Sequence, residues 1–502
     1  MKATTNLLDR AIGFFSPQRG LVRARARAAG QTLLAYEGGK VGRRTDGWVA
    51  ADTSANGEIG PALSNLRKRS RDLVRNNSYA ARAVTEIVEH AVGTSIPAQS
   101  RAKGVRLSKT IDAVWEKWVK ECDADGQLDF YGLQDLIART IIESGECIVR
   151  HRARRPEDGF RVPYQVQVLE PDYLAIWKTQ VTDTGYILQG VEFDSLGRRI
   201  AYWLYPNHPG DILQVNFRNG LTPSRVPASE VLHVYRKQRP GQIRGVPWLA
   251  PVIMKLRDLD EYEEAELVRK KIEACFAAFV TQPEGPDGPI LGAAAPLGPT
   301  GNRIETFEPG MIEYLKAGED IKFNTPSGSG GYGEYVSKHQ ATVATGVGLT
   351  YEQLTGDLSR VNYSSYRAGL MSFRNGIESF RWKCFIPMCC TPIRNRFLET
   401  ALAAGEIPSL DYATEWTPPS FGSVDPYKDA QAANMDIRSG RKTWEQAVAE
   451  LGYDPVAQLD AIQRINAEFD KRGITLDIDP RKVNQKGLGQ LPGGPDDATI
   501  PA

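Results

Sequence analysis

The sequence predicts an α+β protein with a mixed helix-and-strand region followed by long helices. Short stretches between residues 146 and 235 alternate apolar and polar side chains, which is typical of half-buried strands. Helical periodicity comes before and after them. A chain of 502 residues, 41% hydrophobic and 25% charged, is globular in composition and too long for one ordinary core. We expect roughly two to four domains or subdomains.

The N-terminal third combines a basic arm with three predicted helices. Residues 1–59 are rich in arginine, glycine and alanine, so we expect a partly disordered arm that contacts nucleic acid or is a solvated or partner-wrapping tail. Apolar residues recur at helical spacing from Ile59 to Val92, and arginines 67, 69, 71, 75 and 82 fall between them, where we expect a solvated face. Two further helices are predicted over 109–121 and 131–144.

The predicted strands form the middle of this half of the chain. Residues 146–152 and 163–169 alternate, and the alternation makes Cys147 a core residue. Residues 187–194 and 198–205 flank the turn at 195–197 and are predicted to form a hairpin, and 231–235 is a further short strand.

The second half is dominated by long helices. A continuous apolar stripe predicts one helix from Trp248 to Phe279, a rod of roughly 45 Å that needs packing partners along its length. Short strands are expected over 304–325, and a helix over 332–347. A helix over 366–404 is predicted to kink at Pro387 and Pro392, and three helices over 427–472 precede a disordered Gly/Pro-rich tail.

The sequence lacks the familiar motifs for catalysis and metal binding. It contains no GxxxxGK[ST], no HExxH, no GxSxG and no Cys/His cluster with metal-ligand spacing. We therefore expect no enzyme activity, no cofactor and no metal site. The six cysteines are interpreted as reduced core thiols, and neither a membrane span nor a secretory signal is expected.

An ordered series of motifs resembles the phage lambda family of portal proteins between about residues 60 and 470. The similarity is strongest at Arg239-Pro240-Gly241-Gln242, at Arg244-Gly245-Val246-Pro247 and in the helix that follows. Other motifs in the series are Arg71–Asn77 before Ala80–Ala83, Trp115 with Trp118, Cys122-Asp123 with Gly126, Asp129–Gln134, Glu143–Glu146, Leu169–Asp172, Gly190–Asp194 with Gly197-Arg198 and Ala201–Trp203, His208–Asp211, Val226–Ala228, His233–Tyr235 and Asp425-Pro426.

The resemblance implies a portal fold with a mixed α/β wing, a helical stem, a small α/β clip and a helical crown. Around this core lie the arm, 1–59, and the disordered tail, 481–502. The implied parts are the wing, 60–245; a stem helix, 246–281; the clip, 282–326; a second stem helix, 327–354; a tunnel loop, 355–365; a kinked wing helix, 366–410; and the crown, 411–480.

Three sets of residues are candidates for function under this resemblance. The tunnel loop would line the DNA channel with Gly356, Asp357, Ser359, Arg360, Asn362, Tyr363 and Ser364. The clip would dock the packaging motor through Glu305, Glu308, Glu313, Lys316, Glu319 and Asp320. The stem would pack against ring neighbours through Leu249, Val252, Ile253, Leu256, Leu259, Tyr262, Val268, Ile272 and Phe276.

The implied partners follow from the same resemblance. They are other copies of the chain in a ring of about twelve, double-stranded DNA bound without sequence preference, the terminase large subunit, the major capsid protein and a head-completion or tail adaptor protein. The expected location is the portal vertex of a virion assembled in the bacterial cytoplasm. Two alternatives stay open at this point: a terminase, disfavoured by the missing P-loop, and another virion structural protein such as a capsid or baseplate subunit.

Overall fold

A computed structural model describes nine stretches of the chain and a few isolated positions. The stretches are 52–102, 105–211, 222–274, 278–281, 312–315, 331–359, 361–410, 412–422 and 425–474. Residues 55–502 group into one compact unit and residues 1–54 into another. The arm before residue 52, most of the clip and the tail after residue 481 therefore lie outside the described residues.

Two helices, α1 (Ala55–Asn76) and α2 (Ser78–Ala91), replace the single helix predicted over 59–92. That prediction was wrong at Asn77, which has extended backbone geometry and accepts a hydrogen bond on its side chain from the Ala80 N–H. An asparagine in this position caps the second helix and interrupts the first. The apolar stripe continues across the break because α2 buries Ala83, Val84 and Ile87.

The main core lies between helices and a three-stranded sheet. Helices α3 (Val105–Val119) and α4 (Phe130–Ser144) are followed by β2 (Glu146–Ala153), β3 (Tyr164–Leu169) and β9 (Val231–Tyr235), in sheet order β3-β2-β9 with antiparallel neighbours. Trp115, Trp118, Phe130 and Tyr164 are fully or almost fully buried and form an aromatic cluster with Phe397. The predicted burial of Cys147 is confirmed.

A second, smaller core lies under a five-stranded antiparallel meander. Its strands are β4 (Gln180–Thr182), β5 (Gly185–Leu188), β6 (Val191–Asp194), β7 (Arg199–Leu204) and β8 (Ser224–Pro227). The predicted hairpin is present as β6 and β7. Residues 187–194 are not one strand, however, because Gln189 and Gly190 both have positive φ and turn the chain.

The long helix predicted over 248–279 is shorter than expected. Helix α5 runs over Ile253–Ala274, and residues Ala278–Thr281 form β10, which pairs in parallel with β11 (Ile312–Leu315). The expectation of one helix through Phe279 was therefore wrong. Helix α6 (Tyr332–Val347) packs beside α5 and has the predicted bounds, ending at the left-handed Gly348.

A second helical run returns to the main core. Helix α7 (Tyr351–Thr355) is followed by α8 (Tyr363–Phe380), a π-helical segment (Arg381–Cys390) and α9 (Thr391–Ala403). The run starts at Tyr363 instead of 366. Pro387 lies inside the π-helical segment, where the wider turn accommodates a residue that cannot donate a backbone hydrogen bond.

The C-terminal part begins with a strand that the sequence did not predict. Residues Tyr412–Trp416 form β12, which pairs antiparallel with β1 (Ala98–Ala102). This corrects the expectation that the crown segment is helical from residue 411. The predicted helices follow as α10 (Pro426–Arg438), α11 (Trp444–Glu450) and α12 (Pro455–Arg472). Across the described residues, no helix combines the length and apolar character that a bilayer crossing requires.

Candidate functional site

The predicted tunnel loop is a short connection held by caps at both ends. Helix α7 starts with a capping box at Thr350 and ends at Gly356, whose φ of 73° requires the left-handed region. Helix α8 starts at Asn362, whose side chain accepts from the Ser365 N–H. Tyr363 and Ser364 consequently belong to the first turn of α8, not to the loop.

The described loop residues lie at the surface, as expected. Gly356, Ser359, Asn362 and Ser364 are exposed, and the neighbouring Leu358 is 61% exposed. Asp357 accepts the Ser359 N–H, so part of its carboxylate fixes the loop conformation. Arg360 lies outside the described residues.

The predicted stem stripe is buried in its first half and partly exposed in its second half. Leu249, Val252, Ile253, Leu256 and Leu259 are buried within the chain, whereas Val268 is 48% exposed. Leu267, beside it, is 54% exposed. Of the remaining stripe residues, the side chain of Ile272 and all of Phe276 lie outside the described residues.

Aromatic and polar contacts join α5 to α6 near the middle of the helix. Tyr262 packs against Tyr332 and Tyr335, with ring centroids 5.9 and 4.7 Å apart. Tyr79 of α2 donates its hydroxyl to Glu263 at 3.3 Å and accepts from Gln340 at 2.8 Å. These contacts hold the helix pair against the main core while the far end of α5 extends past them.

The described part of the chain does not bring the predicted clip residues together. Glu313 lies in β11, and nothing is described of its side chain. Glu305, Glu308, Lys316, Glu319 and Asp320 lie outside the described residues.

A buried charge cluster centred on Glu146 was missed by the sequence analysis. The Glu146 cluster consists of Glu146 at the start of β2, Arg67 of α1, His233 of β9 and Arg244 in the connection between β9 and α5. Arg244 donates from Nε at 2.9 Å and from Nη2 at 2.5 Å, and Arg67 Nη2 donates at 3.0 Å. The Gly245 N–H and His233 Nε2 donate at 2.7 and 2.8 Å.

The charge states of the cluster follow from burial and pairing. Burial alone would raise the pKa of Glu146, but Arg244, His233 and Arg67 hold that pKa well below its usual range. Burial lowers the pKa of His233 to about 4, so the ring is neutral at pH 7 and its proton lies on Nε2, facing the carboxylate. Glu146 is therefore an ionised carboxylate with both oxygens satisfied by donors.

Two glycines allow the backbones at this cluster to meet. Gly145 has a φ of 91°, and a Cβ placed on it would lie 2.4 Å from the Val246 carbonyl carbon. A Cβ on Gly245 would lie 2.0 Å from the Gly145 carbonyl oxygen. Only glycine at both positions lets the turn before α5 approach β2 closely enough for its N–H to reach Glu146.

The cluster continues to the surface through Arg71 and Asp172. Arg71 Nη2 lies 2.6 Å from Asp172 and 3.0 Å from Glu170. Glu170, Asp172 and His208 place possible metal-ligand atoms within 4.8 Å of one another. Arg71 already pairs with both carboxylates, and Arg67 lies 3.3 Å from Asp172, so the group fits an ion-pair network instead of a cation site.

One signal in the sequence could have identified Arg67. It lies four residues after Leu63 and seven before Val74, on the same helical face as these buried residues. The prediction of a solvated face for this arginine was wrong, because Arg67 is 3% exposed. Nothing local in the sequence indicates that Glu146, Arg244 and His233 are its partners, since they are 79 or more positions away.

The fold is that of an α+β protein, in which a buried charge cluster joins the sheet of the main core to α1 and to the connection between β9 and α5. The chain belongs to the lambda family of phage portal proteins, whose family model matches residues 41–381. The resemblance drawn from the motifs is thereby confirmed, and the terminase and capsid or baseplate alternatives are set aside.

Curated relatives carry the same description. The chain is 26% identical over 431 residues to the probable portal protein of Halomonas phage phiHAP-1, with 82% of this chain and 81% of that protein covered. It is 24% identical to the portal protein of Escherichia phage N15 and 22% identical to portal protein B of Escherichia phage lambda, with 88% of this chain and 90% of each relative covered.

Solved structures of gene transfer agent particles were also matched. The neck of an empty particle, computed with C6 symmetry, aligns with a TM-score of 0.40 and 14% identity over 78% of this chain and 94% of that chain. The neck of a native particle, computed with C12 symmetry, aligns with a TM-score of 0.38 and 14% identity over 77% and 94%.

Proposed function

We propose that this portal protein forms a closed ring at one capsid vertex, through which double-stranded DNA is packaged and later ejected. The observation that carries the proposal is the divided stripe of α5. Its first half is buried within the chain, whereas Leu267 and Val268 are about half exposed on the second half. Identical helices of ring neighbours would cover such a face.

The ring proposal is tested by charging the exposed half of α5. We expect Leu267→Glu with Val268→Glu to yield folded subunits that do not form rings, because two buried carboxylates would stay unpaired in the interface. Leu196→Glu is the matched control, since Leu196 is 76% exposed in the β6–β7 turn. Native mass spectrometry and negative-stain imaging report the assembly. Rings of normal size from the double variant would contradict the proposal.

The loop 356–362 is proposed to face the DNA channel. Its exposed polar residues and its caps at Gly356 and Asn362 support a rigid, hydrophilic lining. Asn362 uses its side-chain oxygen to cap α8, which leaves its side-chain NH2 group to donate hydrogen bonds to DNA. The net charge of +1 agrees with a channel that guides DNA without gripping it, since many phosphate contacts would make sliding costly.

Arg360→Ala and deletion of residues 358–361 test the loop. We expect rings to form in both variants and genome packaging or retention to fail, because each subunit loses its one basic contact to phosphate. Arg155→Ala serves as the control, because the Arg155 side chain is 80% exposed in a surface turn. Full-length packaged DNA in both loop variants would mean that the loop is only a connector.

The segment 282–326 is proposed to dock the terminase large subunit and, after filling, the head-completion or tail adaptor protein. Its acidic residues support electrostatic steering of a basic partner. Reversing the charge of Glu305, Glu308 and Glu313 together should leave rings intact but abolish packaging. Packaging at the parental level would contradict the docking role. We also propose that the wing, residues 60–245, contacts the major capsid protein. This contact would hold the ring in the virion.

A further inference from the structure

An open basic groove on α3 has no role in the function described above. The α3 groove has a volume of about 620 Å³ and lies between α3, the β2–β3 connection and the residues after α9. Arg106, Lys109 and Lys117 line it from α3, and Arg161 lines it from the connection. Glu406, the one carboxylate in its lining, stands after α9.

Half of the basic groups in the groove are already paired within the chain. Arg161 forms an ion pair with Glu406, and Lys109 Nζ lies 2.8 Å from Asp460 of α12. Among the residues that the structure describes, Arg106 and Lys117 have no ion pair. Two exposed cations in the same groove thus remain available to a ligand.

The spacing of these cations suits an extended ligand. Arg106 and Lys117 are eleven residues apart on one helix, which places them about 16 Å apart along its axis. Ala113 and the buried Val114 form an apolar part of the lining between them. A ligand that follows the groove would therefore need negative charges at both ends and aliphatic groups in the middle.

We propose that the α3 groove binds an acidic segment of a partner polypeptide. Carboxylate side chains would pair with Arg106 and Lys117, and aliphatic side chains would contact Ala113 and Val114. A polypeptide is favoured over single-stranded nucleic acid because, among the residues that the structure describes, no aromatic side chain lines the groove for base stacking. The volume also suits a few side chains better than a duplex.

The test uses the assembled full-length protein and a fluorescein-labelled decaglutamate peptide, with binding followed by fluorescence anisotropy. We expect Arg106→Glu with Lys117→Glu to weaken binding by about tenfold or more, because two attractive contacts become repulsive. Lys120→Glu is the matched control, since Lys120 is exposed just beyond the end of α3 and does not line the groove. Its affinity should stay within about twofold of the parent.

Two further arms make the result decisive. Arg106→Gln with Lys117→Gln repeats the test without repulsion, and circular dichroism confirms that both double variants are folded. A 20-base-pair duplex is the competing probe. Equal peptide binding by the parent and both double variants would overturn the proposal. So would a duplex that binds more tightly than the peptide and loses that binding in the same variants.

Discussion

At the scale of single residues, Glu146 connects four parts of the chain. Its two oxygens receive donors from α1, from β9 and from the turn that leads into α5. A buried carboxylate is tolerated only when its donors are complete, because desolvation of a charge costs several kcal/mol. The connection that leads into α5 is therefore attached to the sheet by charge-assisted hydrogen bonds.

Neutralising this carboxylate should be strongly destabilising. We expect Glu146→Gln to lower the free energy of unfolding by about 3–5 kcal/mol, because Arg67 and Arg244 would remain buried with no anion between them. Glu157→Gln, a matched substitution of an exposed residue beyond the other end of β2, should change it by less than about 0.5 kcal/mol. Urea unfolding followed by tryptophan fluorescence measures both. Equal midpoints would show that the cluster contributes nothing to stability.

The pH dependence of stability should carry a signature of His233. Its pKa is about 4 in the folded protein because the ring is buried, whereas an unfolded histidine has a pKa of about 6.5. The unfolded chain thus takes up the proton first, and stability present above about pH 6.5 falls as the pH drops toward 4, by up to about 3 kcal/mol.

His151, whose pKa burial also lowers to about 4, titrates in the same window. His233→Gln keeps a donor beside Glu146 but removes one titrating group, so it should reduce the loss of stability between pH 7 and pH 4.5 by about half. Unfolding midpoints at a series of pH values give this slope. An unchanged slope in the variant would mean that His233 is not held neutral.

At the scale of elements, the link between β12 and α10 is held against α8 and the π-helical segment. Phe421 lies under the guanidinium groups of Arg374 and Arg381, at 5.1 and 4.7 Å from its ring centre, and stacks on His90. Arg374 also donates to the Gly422 carbonyl, and Arg381 to the Pro419 carbonyl. These contacts fix where the three C-terminal helices leave the main core.

Removing the ring of Phe421 should loosen those helices without unfolding the core. We expect Phe421→Ala to increase amide hydrogen exchange in α10, α11 and α12, because two cation–π contacts worth about 0.5–1 kcal/mol each are lost. Tyr427→Ala, which removes a 72% exposed aromatic from α10, should leave exchange unchanged. Exchange that rises equally in both variants, or in neither, would argue against this role of Phe421.

The elements that the sequence predicted well are those whose pattern is local. Helix α6 was predicted with the observed bounds, and the bounds of strands β2, β3 and β9 were predicted to within one residue, because each carries its own periodicity and turn signals. The pairing of β1 with β12 was missed, since Ala98–Ala102 is short and mostly polar and its partner is far along the chain. The sequence did not predict the Glu146 cluster for the same reason, because the donors to this carboxylate come from distant segments.

At the scale of the whole molecule, the proposed ring would make the stability of the subunit depend on assembly, because half of α5 is exposed in the single chain. Leu267 and Val268 leave apolar area in the isolated subunit that a ring would bury. Subunits that bind one another only when folded stabilise the folded state by mass action. The intact assembly should therefore be more stable than the subunit that composes it.

This dependence predicts a concentration effect on melting. The thermal midpoint of the parent protein should rise with protein concentration, whereas that of Leu267→Glu with Val268→Glu should not, because the variant cannot associate. Differential scanning fluorimetry over a hundredfold concentration range measures both, with Leu196→Glu as the control. Parallel behaviour of the parent and the double variant would exclude a contribution of this face to assembly.

The β1–β12 pair has a consequence for how the protein is made. Arg101 of β1 binds Glu415 of β12 across 314 positions of sequence. At about 5–20 residues per second, a ribosome needs about 15–60 seconds to deliver the second strand after the first. During that interval β1 has no partner strand, and closing so long a loop slows folding further. The nascent subunit completes this sheet only after Trp416 has been made, so we expect rings to be built from released chains and not on the polysome.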